Sequence, residues 1–148
     1  MFSFTGYPDF GTLRIVKLLG DLNLPILGLF DFDPYGFDIF SVYKWGSISK
    51  AYCNDILATN SIRWLGIHFE DFENQNITLL QLSMEDVSYL KSIIKREPFK
   101  YERNFQYLYQ LERMLESGKK SEIQAFSQKS LDFLSKMIGE KLENKRFI

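Results

Sequence analysis

The chain has one cysteine, Cys53, and one histidine, His68, in 148 residues. A lone cysteine excludes an internal disulfide framework, and no cysteine–histidine pair stands at zinc-ligand spacing. Both residues read as packing groups. No uninterrupted apolar run approaches the about 18 residues of a membrane span, and no basic flank leads into a long apolar segment near the start. The compartment expected from these features is intracellular and reducing. The chain also has almost no net charge, −1 at neutral pH, which excludes nucleic-acid binding by bulk charge but leaves room for a local basic face. Lysines and arginines number 4, 5 and 9 in residues 1–50, 51–100 and 101–148, against 5, 7 and 7 acidic residues, so only the last third is mildly basic. What the chain does have is an apolar content of 45% with 16% aromatics, enough for one well-packed domain.

Phe2 to Thr5 reads as a short strand emptying into the loop Gly6-Tyr7-Pro8-Asp9. A helix capped by Thr12 follows, with Ile15, Leu18, Leu19 and Leu22 at helical spacing, and Pro25 marks its end. Ile26 to Phe30 is a continuous apolar run of strand length, of the kind buried on both faces. A second helix starts at Pro34, another is expected from about Ser49 to Leu57, and Ile62 to Ile67 returns to strand character. Strands and helices in alternation predict an α/β fold with a mostly parallel sheet and right-handed crossovers. From Ser83 onward the periodicity is helical. Ser83 and Asp86 form a capping-box pattern, Pro98 closes that helix, Gly118 ends the next, and a last helical stretch runs from Ile123 to Leu142. No linker or repeat divides the chain, so residues 1–148 read as a single domain.

The strand ending at Phe30 runs into Asp31-Phe32-Asp33-Pro34-Tyr35-Gly36. Residues i and i+2 of an extended chain point the same way, so both carboxylates aim at one spot at the carboxyl end of a buried strand, the edge where α/β sheets place ligands. Two readings stand side by side. Asp33 before Pro34 is a good N-cap with proline at the first helical position. Equally, two close anions repel unless a cation lies between them, and Mg²⁺ is commonly held by one or two carboxylates, waters and phosphates. A haloacid dehalogenase-like phosphatase also ends a strand in D-x-D, but its pattern wants Thr or Val at Tyr35 and a later acidic pair, for which Glu70 and Asp71 are weak candidates.

Four segments occur in one order: GYPD at Gly6 to Asp9, DFDPYGFDIFSVYKWGS at Asp31 to Ser47, IRWLG at Ile62 to Gly66, and LERMLESGKKSEIQA at Leu111 to Ala125. Together they closely resemble the topoisomerase VI A-type family and, within it, the eukaryotic meiotic double-strand-break proteins. The resemblance spans nearly the whole chain. It implies a Toprim domain in which Asp31 and Asp33 hold Mg²⁺, within a transesterase that acts on DNA in the nucleus. Family members work as dimers, here an expected homodimer, with an ATPase-like topoisomerase VI B-type partner. The attacking tyrosine and a third metal carboxylate, a glutamate, belong to upstream segments of the family pattern. This chain therefore looks like the carboxyl-terminal portion of such a protein, with a catalytically silent DNA-binding or dimerisation module as the alternative.

The resemblance places Tyr7 in a loop near DNA. Arg14, Lys17, Lys44 and Ser47 are further candidates for DNA contact, the last two because they belong to the Y-K-x-G-S motif. Lys119 and Lys120, beside Gly118, read as basic residues suited to a helix end.

Overall fold

The computed structural model describes residues 6–46, 57–73, 77, 79–127 and 131–148. The strand expected at Phe2 to Thr5, Ser47, and nearly all of the helix expected from Ser49 lie outside these residues.

Helix α1 spans Phe10–Asp21. Its cap is Asp9, whose carboxylate accepts from the Thr12 backbone N at 2.7 Å. The sequence suggests Thr12 as the cap; the aspartate three residues earlier outcompetes it because its carboxylate reaches the open amide of the first turn. Leu13 and Val16 bury the inner face of the helix. Strand β1, Leu27–Leu29, pairs in parallel with β2, Arg63–Gly66. Two further bonds, Phe30 N to Gly66 O and Ile67 N to Phe30 O, carry the pairing on toward the carboxylate pair. The expected parallel α/β unit is present.

Between the two strands runs α2, Pro34–Trp45. Phe37 and Phe40 on its inner face are fully buried and meet Trp64 of β2 with ring centroids 5.1 and 5.8 Å away. Burying one such ring contributes about 2–3 kcal/mol. This aromatic seam fixes α2 on the sheet, and with it the first turn of α2 at the end of β1.

The second half is less purely helical than its periodicity suggests. After the short α3, Glu70–Glu73, come β3, Leu80–Gln81, and α4, Met84–Ile94, capped by the reciprocal Ser83–Asp86 box that the sequence predicts. Two 3₁₀ turns lead into α5, Phe105–Ser117, which Gly118 ends at φ 65°, the left-handed conformation glycine adopts freely. Strand β4, Lys119–Lys120, then pairs antiparallel with β3. Ser121 continues across to Phe32, with both backbone bonds made at 2.8 and 2.9 Å. The last helical stretch is two helices, α6 at Ile123–Ser127 and α7 at Leu131–Glu143. No helix among the described residues is long and apolar enough to cross a membrane.

Candidate metal and phosphate site

The carboxylate pair lies where β1 gives way to α2. Asp33 is the N-cap of α2, in extended backbone at φ −147°, and its Oδ1 accepts from the Gly36 N. Pro34 fills the first helical position, where the missing N–H costs nothing. Asp31 is held from the opposite direction, its Oδ1 accepting from the Ile123 N at 2.6 Å at the start of α6. Each aspartate is thus oriented through one oxygen. Among the described residues, the second oxygen of each accepts no hydrogen bond.

Burial pushes the Asp33 carboxyl above the ordinary aspartate range, and the neighbouring Asp31 pushes it further. The Gly36 backbone bond and the charge of Lys120 pull the other way. The electrostatics are those of a pair that gains from a cation. Two carboxylates, each with an oxygen not bonded to the described residues, suit Mg²⁺, a hard cation that is commonly held by one or two carboxylates with waters and phosphate oxygens. Among the described residues, no group of three or more histidine, cysteine, aspartate or glutamate side chains is placed to hold a metal ion.

The sequence does not single out Lys120 for the site. Far from serving a helix end, it sits in β4, and its ammonium meets Asp86 Oδ2 at 2.7 Å. Burial raises the Asp86 carboxyl, but the bonds from Lys120 and from the Ser83 N outweigh it and hold the group below its ordinary value. Lys120 in turn is raised, chiefly by its bond to Asp86, with the charge of Asp33 adding to the effect.

Tyr7 lies beside α2. Its hydroxyl donates to Asp38 Oδ2 at 2.6 Å, Tyr89 donates to the same oxygen at 2.8 Å, and Arg96 binds Oδ1. Burial disfavours the Asp38 anion, yet the three donors hold it below the usual carboxylate range. Burial, followed by the Asp38 bond, drives the Tyr7 phenol well above its ordinary value. Tyr7 as a whole stays about half exposed, and Tyr35, two residues after Asp33, packs 5.0 Å from Tyr89. Asp38, Tyr89 and Arg96 carry no sequence signal of their own, because they join only through tertiary contact.

The remaining candidates do not converge on the pair. Lys44 is at the far end of α2, eleven residues and about 16 Å of helical rise from Asp33. Its ammonium donates to the Asn60 and Ile62 carbonyls at 2.9 and 2.8 Å, and burial, with Arg63 nearby, lowers its pKa to about 8. Arg14 and Lys17 lie on α1, the first exposed and the second paired with Asp21 at 2.9 Å. Asp71 is bound to Lys141, and Glu70 accepts from Gln110, so neither joins Asp31 and Asp33 as a phosphatase pattern requires. His68 is buried among Trp64, Asp71 and Lys141 as a packing residue, as its isolation in the sequence suggests.

The family model of the Toprim domain shared by Spo11 and the A-type chain of topoisomerase 6 matches residues 1–142. Among curated relatives, meiotic recombination protein SPO11-1 of Oryza sativa subsp. indica is 41% identical over 97% of this chain and 39% of its own length. Meiotic recombination protein SPO11 of Mus musculus is 38% identical over 89% of this chain and 34% of its own. Meiotic recombination protein SPO11 of Homo sapiens is 36% identical over 89% and 34%. The chain thus spans little more than a third of the length of the relatives it matches.

Proposed function

Because the chain belongs to the Toprim family of Spo11 and A-type topoisomerase 6, we propose that it is the Mg²⁺-binding part of a nuclear transesterase that breaks both strands of DNA in meiotic recombination. The observation that carries this reading is the presentation of Asp31 and Asp33 at the end of a parallel strand, each steered by a backbone amide through one oxygen. Asp31 and Asp33 would hold the ion, which supplies electrostatic stabilisation of charge on the phosphate and the leaving oxygen.

The chain's own residues orient and position. Ile123 and Gly36 aim the carboxylates, and the Asp38 cluster pins the Tyr7 loop against α2, leaving Tyr7 exposed enough to meet DNA. The phenols whose pKa values move, Tyr7, Tyr43 and Tyr107, all move up under burial, against activation as nucleophiles. The family pattern, which sets the attacking tyrosine upstream of the Toprim domain, likewise gives that role to none of these three. Arg14 and Lys17 are proposed as peripheral phosphate contacts, and Lys44 and Ser47 as DNA contacts on the strength of the motif, with Lys44 at the end of α2 away from the metal edge. The working assembly is a homodimer with a topoisomerase VI B-type partner.

The test is Mg²⁺ titration of the purified chain by calorimetry, with Asp31→Asn and Asp33→Asn alongside. The expected result is binding by the parent and loss in both variants. Unchanged binding in either variant overturns the metal assignment. In a longer protein that cleaves DNA, both variants are expected to abolish cleavage, whereas DNA binding with no Mg²⁺ binding by the parent chain favours the silent DNA-binding module.

A further inference from the structure

We infer that Lys120 is a phosphate-binding residue of the Asp31–Asp33 site, a tethered cation that meets a DNA backbone phosphate beside the metal ion. The inference rests on the metal reading above and adds to it a residue from the opposite half of the chain.

The backbone places Lys120 there. Phe32, between the two aspartates, exchanges both backbone bonds with Ser121 in an antiparallel bridge. In an antiparallel pair, one step on along one strand lies opposite one step back along the other, so Lys120 stands across from Asp33 and on the same face. Ile123, two residues beyond Ser121, holds Asp31. One short segment, 120–123, therefore flanks the whole D-x-D turn. On its other side it is anchored by β3, where Leu80 pairs with Lys120.

The side chain has what a phosphate contact needs. It carries a compact ammonium with three donors. The described contacts use one of them, toward Asp86. Asp86 Oδ2 is shared with the Ser83 N, so this anion is already served by the helix it caps. The Lys120 side chain remains 24% exposed while that of Asp86 is 5% exposed, so the cation is the more solvent-accessible member of the pair. The charge of Lys120 is felt by both Asp33 and Tyr35, the residues on either side of Pro34. A phosphate that bridges to an ion held by the aspartates lies within the field of this ammonium, and the two positive centres together match the charge of a phosphodiester under attack.

A purely structural role, stapling β4 to α4 through the ion pair, makes a different prediction, and three substitutions separate the roles. The chain and its variants Lys120→Met, Lys120→Arg and Asp86→Asn are titrated into a short fluorescent DNA duplex containing Ca²⁺ over a range of salt. Lys120→Met is expected to weaken binding and to reduce the slope of log affinity against log salt by about 0.9, the value of one phosphate contact. Lys120→Arg and Asp86→Asn are expected to keep the parent slope. Equal slopes in Lys120→Met and the parent overturn the proposal, as does a slope lost equally in Asp86→Asn. Thermal unfolding of each variant identifies any loss that comes from misfolding, for which Lys120→Arg, keeping charge and length, is the informative substitute. The calorimetric titration of Asp31→Asn reports separately on the metal reading, so the failure of one is distinct from the failure of the other.

Discussion

A β-carbon on Gly36 would stand 2.5 Å from the carbonyl oxygen of Asp31 and 3.0 Å from its nitrogen. The obstacle is backbone, which cannot swing aside as a flexible side chain does. Glycine is required here by close approach: only without a side chain does the first turn of α2 close onto the turn that carries the aspartates. Gly36→Ala is therefore expected to destabilise the chain by about 1–3 kcal/mol. It is also expected to weaken Mg²⁺ binding, because relief of the clash displaces Asp31. Denaturant unfolding and calorimetry on the same variant check both effects.

Asp33 combines two roles that substitution can separate. As N-cap it satisfies the Gly36 amide, and as an anion it faces Asp31. Asparagine caps a helix about as well as aspartate, while alanine costs about 1 kcal/mol. Asp33→Asn is expected to retain parent stability and lose the metal. Asp33→Ala is expected to lose both, and unfolding curves of the pair measure the difference.

Asp38 collects Tyr7, Tyr89 and Arg96 on one carboxylate. Tyr7→Phe removes one of three donors and is expected to cost about 1 kcal/mol, whereas Asp38→Ala leaves Arg96 partly buried without its partner and is expected to cost about 2–3 kcal/mol. The Asp38 pKa is depressed in the fold, so its stabilisation is present above the ordinary aspartate value and is lost as pH falls through the lower folded value. Thermal unfolding of the two variants against the parent tests the ranking.

His68 predicts acid sensitivity in a higher window. Burial, aided by the Lys141 charge, lowers its pKa from 6.5 to about 3, so the unfolded chain binds the proton that the folded chain refuses. Stability contributed by this group is whole above pH 6.5 and declines progressively as pH falls from there toward 3. A His68→Gln variant is expected to show a shallower decline across that window, read from melting temperature against pH.

Part of the fold is legible in the chain because its signals are local. The cap at Asp33 with Pro34, the Ser83–Asp86 box and the Gly118 terminator each act within a few residues, and each is found as read. The run into Asp31 forms a strand, but its residues are partly exposed rather than buried on both faces, as expected of a strand in a sheet of only two. What is not legible is made by distance. Strands β3 and β4 are two residues each, too short for any alternating pattern, and Lys119 and Lys120 look like helix-end charges until Leu80 and Gln81 pair with them. Lys44 looks like a free cation in its motif, and only the fold brings the Asn60 and Ile62 carbonyls to it. The match of the KKSEI segment to the family pattern is the one pointer to Lys120 that the sequence offers.

The bond from Ile123 to Asp31 crosses 92 residues of sequence. Closing a loop of that length is entropically costly and comes only when later contacts repay it. The aspartates thus share a short motif, but their geometry depends on a contact made across most of the chain. A segment grafted with D-x-D-P-x-G alone would carry the ligands without the aim.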